Sequence, residues 1–255
     1  MRVYYNENDA NAVQWLLTLM TEGVIPDGDV DDRSITDVSA DDLADYDQCH
    51  FFAGIGGWAY ALQLAGWDYV SGVWTGSCPC QPWSIANVWE GGGKGTEDER
   101  DLWPRWFDLI EKRKPAIVFG EQVPNAIKKG WLDRAFSDLE TQDYTCAAAV
   151  LRADAYKAEH QRKRLYFVAD AGCTRREGHQ SLQRVSVPAA KAQPIDGDPL
   201  TRARRALAGH YSDLLPCDGL SVTLERSALR GYGNAIVPQV AAEFVQAFGE
   251  ARSCC

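Results

Sequence analysis

None of the eight cysteines in this 255-residue chain stands in a C-x-x-C pair, and the four histidines offer no companion spacing. A structural zinc site therefore has nothing to be built from, and no metal is expected. No apolar run approaches the length of a membrane span, so no membrane partner is expected. The opening residues, Met1 to Asp9, lack both the basic flank and the greasy stretch of a secretory signal. A disulfide framework is then unexpected, and the reducing cytoplasm is the natural compartment. Internal repeats and low-complexity tracts are missing too. Basic residues are scarce early on: residues 1–50 hold twelve acids against Arg2 and Arg33, which accounts for the whole net charge of −10. An acidic protein is a poor partner for a polyanion on average. The balance reverses from Arg152 to Arg205, where twelve Lys and Arg face six acids. Such a run is either a solvated face or the one side a polyanion would approach.

What is present is an ordinary globular composition, 45% apolar and 24% charged, enough for one large domain with a full core. Short apolar runs at Val3–Tyr5, Cys49–Phe52, Val73–Thr75, Ala116–Phe119, Tyr144–Val150 and Leu165–Ala169 read as strands. Helical periods occupy Ala10–Glu22, the stretch from Ala59, Leu102–Lys112, Trp131–Leu139 and Val240–Phe248. Asp27–Val30 turns into a further short strand, and Ser34–Asp47 is an acidic connector. Strands alternating with helices predict an α/β fold, a doubly wound and mostly parallel sheet. Residues 1–169 with 231–255 would form its main domain. The irregular segment 170–230, with a helix suggested around Leu200–Ala208, would form a small second region.

Ligands of such sheets collect beyond the carboxyl ends of strands, and three signals lie there. The first is Ala53-Gly54-Ile55-Gly56-Gly57, a turn whose bare backbone N–H groups can approach a phosphate, a carboxylate or a nucleoside, or simply satisfy a tight turn. The second is Gly76-Ser77-Cys78-Pro79-Cys80-Gln81-Pro82-Trp83-Ser84. Pro79 lacks an N–H and Pro82 biases Gln81 away from helix, so the strand stops here. A cysteine at a strand end suits thiolate chemistry, although Cys78 and Cys80 could equally be small buried core residues. The third is Glu121, after Ala116–Phe119. The glycine-rich stretch Asn87–Thr96 is either a linker or a lid.

In this order the pieces resemble the DNA (cytosine-5) methyltransferases. Phe52-Ala53-Gly54-Ile55-Gly56-Gly57 is similar to the family's S-adenosyl-L-methionine motif F-A-G-x-G-G. Pro79-Cys80-Gln81 with Ser84 matches P-C-Q-x-x-S, whose cysteine is the nucleophile. Lys94 to Arg100 resembles K-G-x-E-D-x-R, Glu121-Gln122-Val123 stands for E-N-V, and His160 to Arg164 resembles Q-x-R-x-R. Gly233 to Pro238 matches G-N-A-V-x-P. The resemblance implies a Rossmann-like methyltransferase fold, S-adenosyl-L-methionine as cofactor, and double-stranded DNA as partner of a monomeric enzyme. It implies catalysis by Cys80, Glu121, Arg164 and Arg162. Phe52, Ala53, Gly54, Ile55, Gly56, Gly57, Gly76, Asn234 and Val237 would face the cofactor. Gln81, Ser84, Lys94, Arg100, Arg175 and Arg176 would contact DNA.

The second- and third-strand motifs of that family have no room between Gly57 and Cys80. Asn6-Glu7-Asn8-Asp9 and Gly28-Asp29-Val30 occur ahead of the glycine turn instead. The expectation is that these strands have moved to the N-terminus, Glu7 holding the ribose and Asp29 the adenine amine; the alternative is ordinary turn acids. Right-handed crossovers would then send the helix after Gly57 to an unusual face. His50 replaces an acid of the family. The short 170–230 region implies short or relaxed sequence specificity, as in compact bacteriophage and prophage forms, where broad modification would evade restriction. Rival readings are a C5-modifying enzyme using another one-carbon donor or a free pyrimidine nucleotide, and a non-catalytic DNA-binding relative.

Overall fold

Among the described residues seven strands, β1 (Val3–Asn6), β2 (Asp29–Asp31), β3 (Gln48–Phe51), β4 (Val73–Gly76), β5 (Ile117–Gln122), β6 (Thr145–Arg152) and β7 (Lys163–Asp170), form one sheet in the order β2-β1-β3-β4-β5-β7-β6. The first five are parallel, and β7 runs antiparallel to both of its neighbours. The doubly wound, mostly parallel sheet expected from the sequence is thus present. The computed structural model describes residues 1–67, 70–79, 101–153, 162–172 and 236–253. The suggested lid, the helix around Leu200–Ala208 and nearly all of 170–230 lie outside the described residues.

The helices are α1 (Ala10–Thr21), α2 (Gly57–Leu64), α3 (Trp103–Arg113), α4 (Asn125–Lys128), α5 (Trp131–Glu140) and α6 (Pro238–Ser253). Asp9 caps α1, its Oδ1 accepting the N–H groups of Asn11 at 2.9 Å and Ala12 at 3.1 Å, donors that a helix start otherwise leaves orphaned. The acidic connector forms two short 3-10 turns, Ile35–Asp37 and Asp41–Leu43.

Strand alternation divides the core. On one face Tyr4, Cys49, Phe51, Trp74, Val118 and Phe167 pack against Trp103, Trp106, Trp131 and Phe136 of α3 and α5, with Ile35 and Leu43 of the connector. On the other, Tyr5, Val73, Ile117, Phe119 and Tyr166 pack against α1, α2 and α6. The placement of α2 overturns one expectation and breaks a rule. Leftward travel from β1 to β2 uses a helix on the second face. Rightward travel from β2 to β3, β4 to β5 and β5 to β6 uses the first face, so these four connections share one hand. The step from β3 to β4 also runs rightward, yet α2 lies on the same face as α1. About 98% of such crossovers are right-handed, and β3–α2–β4 is the left-handed exception.

At the amino-terminal ends of the strands, three pieces of chain meet on Asp47. Its carboxylate accepts the Arg2 N–H at 2.8 Å and the Ser71 hydroxyl at 3.0 Å, and its carbonyl accepts the Gly72 N–H at 2.7 Å. Among the described residues no helix is long and apolar enough to cross a membrane, and no cluster of three metal-ligating side chains occurs.

Candidate functional site

Two turns lie at the carboxyl ends of the neighbouring parallel strands β3 and β4. After β3 the chain bends at Phe52, whose φ of 51° lies in the left-handed region, and at Gly54, whose φ is 55°. A Cβ on Gly54 would meet nothing within 4 Å; glycine is needed there for the backbone conformation, and open space lies above it. At Gly57 the reason is crowding, because a Cβ would come within 2.7 Å of Ile236 Cγ1. The Gly54 N–H donates to Glu7 Oε2 at 2.8 Å, while Glu7 Oε1 accepts the Asp9 N–H at 2.9 Å. Each carboxylate oxygen has a second lone pair to offer. A half-buried carboxylate with spare acceptor capacity, set against a turn with open space, fits a vicinal diol such as a ribose.

Asp29 is not brought to this end. It starts β2 opposite Tyr4, and its carboxylate pairs with Arg2 at 3.1 Å and accepts the Tyr46 hydroxyl at 2.8 Å. The acid at the carboxyl end of β2 is Asp31, opposite Asn6, gripped by Arg33 at 2.6 Å and by the Tyr4 hydroxyl at 2.7 Å. Those donors hold its carboxyl down at about 2, the side-chain bonds of Arg33 first, against the opposing effect of burial. His50, on the second face, has Nδ1 2.8 Å from Thr75 Oγ1. Burial lowers its pKa to about 3, so the imidazole is neutral.

After β4 the segment Ser77–Pro79 is held from two sides. The Trp58 indole N–H donates to Ser77 Oγ at 3.1 Å, and Gln122 Nε2 donates to the Cys78 carbonyl at 3.3 Å. The Cys78 side chain is buried among the residues of the first face, and burial pushes its thiol pKa well up. It is packing, not a nucleophile. Gly76 has a packing reason of its own, since a Cβ there would strike the Trp106 indole at 2.6 Å.

On β5, Glu121 points to the second face beside Tyr166, its partner across the ladder, and Arg164 lies two residues from Tyr166 on that same face. Arg164 Nε is 2.8 Å from Glu121 Oε1. With only 7% of Glu121 exposed, burial pushes its carboxyl up to about 7, against the pull of Arg164 and Arg162. A carboxylic acid poised near neutrality, next to a fixed cation, can pass a proton to a ring nitrogen and hold a carbonyl oxygen at once. Tyr166 in turn bonds to the backbone of Val237 at the head of α6.

The structure thus brings together Phe52, Ala53, Gly54, Ile55, Gly56 and Gly57 with Glu7, and Glu121 with Arg164 and Arg162. Cys80, Gln81, Ser84, Lys94, Arg100, Arg175, Arg176 and Asn234 lie outside the described residues. The braces from Trp58 and Gln122 carry no sequence signal, because their partners lie 19 and 44 residues away.

Residues 71–193 match the family model described as C-5 cytosine-specific DNA methylase. The Type II methyltransferase M.AplI of Arthrospira platensis is 32% identical over 96 residues, 37% of this chain but only 27% of that protein, so the match spans about a quarter of the relative's length. Among solved structures, the S. pombe Dnmt2 methyltransferase aligns at a TM-score of 0.40 and 13% identity, over 71% of this chain and 52% of its own. A Spodoptera frugiperda DNMT2 variant aligns at 0.41 and 12%, over 77% of this chain and 61% of its own.

Proposed function

We propose that the chain transfers a methyl group from S-adenosyl-L-methionine to C5 of cytosine in double-stranded DNA, with short or relaxed sequence specificity. The observation that carries this reading is the buried pair of Glu121 and Arg164. It lies at the end of the strand next to β4, whose exit segment leads within one residue to Cys80. The family match over residues 71–193 spans the segment that leads to Cys80, Glu121 and Arg164, and begins after the glycine turn.

Cytosine C5 is too weak a nucleophile to take a methyl group directly. Addition of the Cys80 thiolate at C6 turns the ring into an enamine, with its electron density at C5. Glu121, in the protonated form that its raised pKa of about 7 keeps populated near neutrality, donates to N3 and draws electrons into the ring as the C6–S bond forms. Arg164 holds O2 and steadies the anionic adduct, and Arg162 braces the same side. The bound cofactor supplies an electrophilic sulfonium methyl. Glu7 and the Gly54–Gly57 turn would hold its ribose and methionine ends, with Asn234 and Val237 nearby. Loss of the C5 proton and departure of the Cys80 sulfur restore aromaticity. Because duplex stacking hides C6, the base must leave the helix first.

We also infer that residues 1–47 occupy the places of strands that normally follow the glycine turn. The sheet order and the left-handed step through α2 support this, since a helix bound for β1 from β3 would be right-handed on the face where α2 lies. Asp29 is left out of the cofactor set, its carboxylate being taken by Arg2 and Tyr46.

The test is an adduct with DNA containing 5-fluorocytosine. A covalent complex that survives denaturation is expected for the parent and none for Cys80→Ser; in a separate reaction on unsubstituted DNA, mass spectrometry of nucleosides should find 5-methylcytosine as the product. An adduct that persists in Cys80→Ser would remove the reading.

A further inference from the structure

We propose that Trp58 is a positioning residue coupling the glycine turn to the segment that carries Cys80, an inference that rests on Cys80 being the nucleophile. Trp58 is the second residue of α2, so its backbone follows any movement of Gly54–Gly57. Its ring is fixed in plane by Phe119, stacked at 6.1 Å and 24°, and by Tyr166, edge-on at 6.1 Å and 79°. An indole N–H can only donate, and where those of the buried Trp106 and Trp131 meet no acceptor, that of Trp58 has one. That acceptor is Ser77 Oγ at 3.1 Å. A phenylalanine would fill the same apolar space and make no bond.

Two residues, Cys78 and Pro79, lie between Ser77 and Cys80, each Cα step is about 3.8 Å, and Pro79 has its φ locked by the ring. The next residue, Cys78, has its carbonyl tied to Gln122, the neighbour of Glu121. A ligand that shifts the glycine turn therefore pulls on Ser77 through the indole, while Gln122 keeps the following peptide in register with the catalytic acid. Occupancy of one turn sets the position of the other.

The test uses the full chain with Trp58→Phe and, separately, Ser77→Ala, which leaves the core intact should the first variant fold poorly. Calorimetry measures binding of S-adenosylhomocysteine. Mass spectrometry measures the rate at which iodoacetamide alkylates Cys80 with and without that ligand. In the parent, ligand is expected to change the Cys80 rate by about fivefold, the equivalent of one hydrogen bond. Each variant should bind ligand yet lose that change, and kcat should fall while the KM for S-adenosyl-L-methionine moves little. The inference is overturned if a ligand-binding variant keeps the parent's response, or if the parent binds ligand and shows no response. A parent that binds no S-adenosylhomocysteine at all defeats the proposed function instead, and the coupling with it.

Discussion

Glu121 is pulled in two directions. Withdrawal from water disfavours its anion, the guanidinium groups of Arg164 and Arg162 favour it, and burial prevails, bringing the group to about 7 from an ordinary 4.5. Between those values the folded protein holds a proton that the unfolded chain has released. This contribution to stability is full below 4.5 and is lost as pH rises through 7. Catalysis that needs the protonated acid should follow the same group. We expect kcat/KM to fall above pH 7 toward tenfold per unit, and Glu121→Gln to abolish that limb while slowing the reaction about 10²- to 10⁴-fold. A pH–rate profile of the two proteins checks both; a parent whose rate climbs steadily past pH 8 would take Glu121 out of this role. Glu121 and Arg164 were legible in the sequence because each stands in a short motif at a strand end. Trp58 and Gln122 were not, since a side-chain bond between distant residues leaves no local pattern.

Single elements carry the scaffold between these groups. Trp103 begins α3 wholly buried, with its indole N–H on Asp138 at 2.8 Å. Just ahead of it, Asp101 pairs with Arg134 of α5 at 2.5 Å; its side chain is only 4% exposed against 26% for the arginine. This pair pins the start of α3 to the first-face core. Asp101→Ala takes this short ion pair away from a partly buried guanidinium, and urea unfolding should show a loss of about 1–3 kcal/mol. Asp101→Asn, which keeps an acceptor, should lose less. Strands and long helices could be read in advance because a sheet covered on both faces is written in continuous apolar runs. The helix Asn125–Lys128 could not, being a single turn with no period to detect. The fate of Asp29 was also hidden: nothing local says that Arg2 lies beside it.

In the whole molecule, charge and chain order are segregated together. The sheet edge at β2 is three residues long and acid-rich, with Arg33 bridging Asp31 and Asp42 and Arg2 bridging Asp29 and Asp45. A short charged edge resists pairing with another chain. It also repels polyanions, so DNA would approach from elsewhere.

Asp47 is where the chain's path could be redrawn. Arg2, Ser71 and Gly72 all bond to that one residue, so a protein begun at Gln48, with residues 1–47 spliced between Ser71 and Gly72 through a short linker, needs no strand to move. It should fold to the same sheet with its helix now crossing in the common hand, and bind S-adenosylhomocysteine as the parent does. An insoluble product, or one blind to that ligand, would count against the inferred displacement. If the splice works, residues 1–47 are a cassette, and the gene can be cut and re-joined at that seam without rewriting the site it encodes.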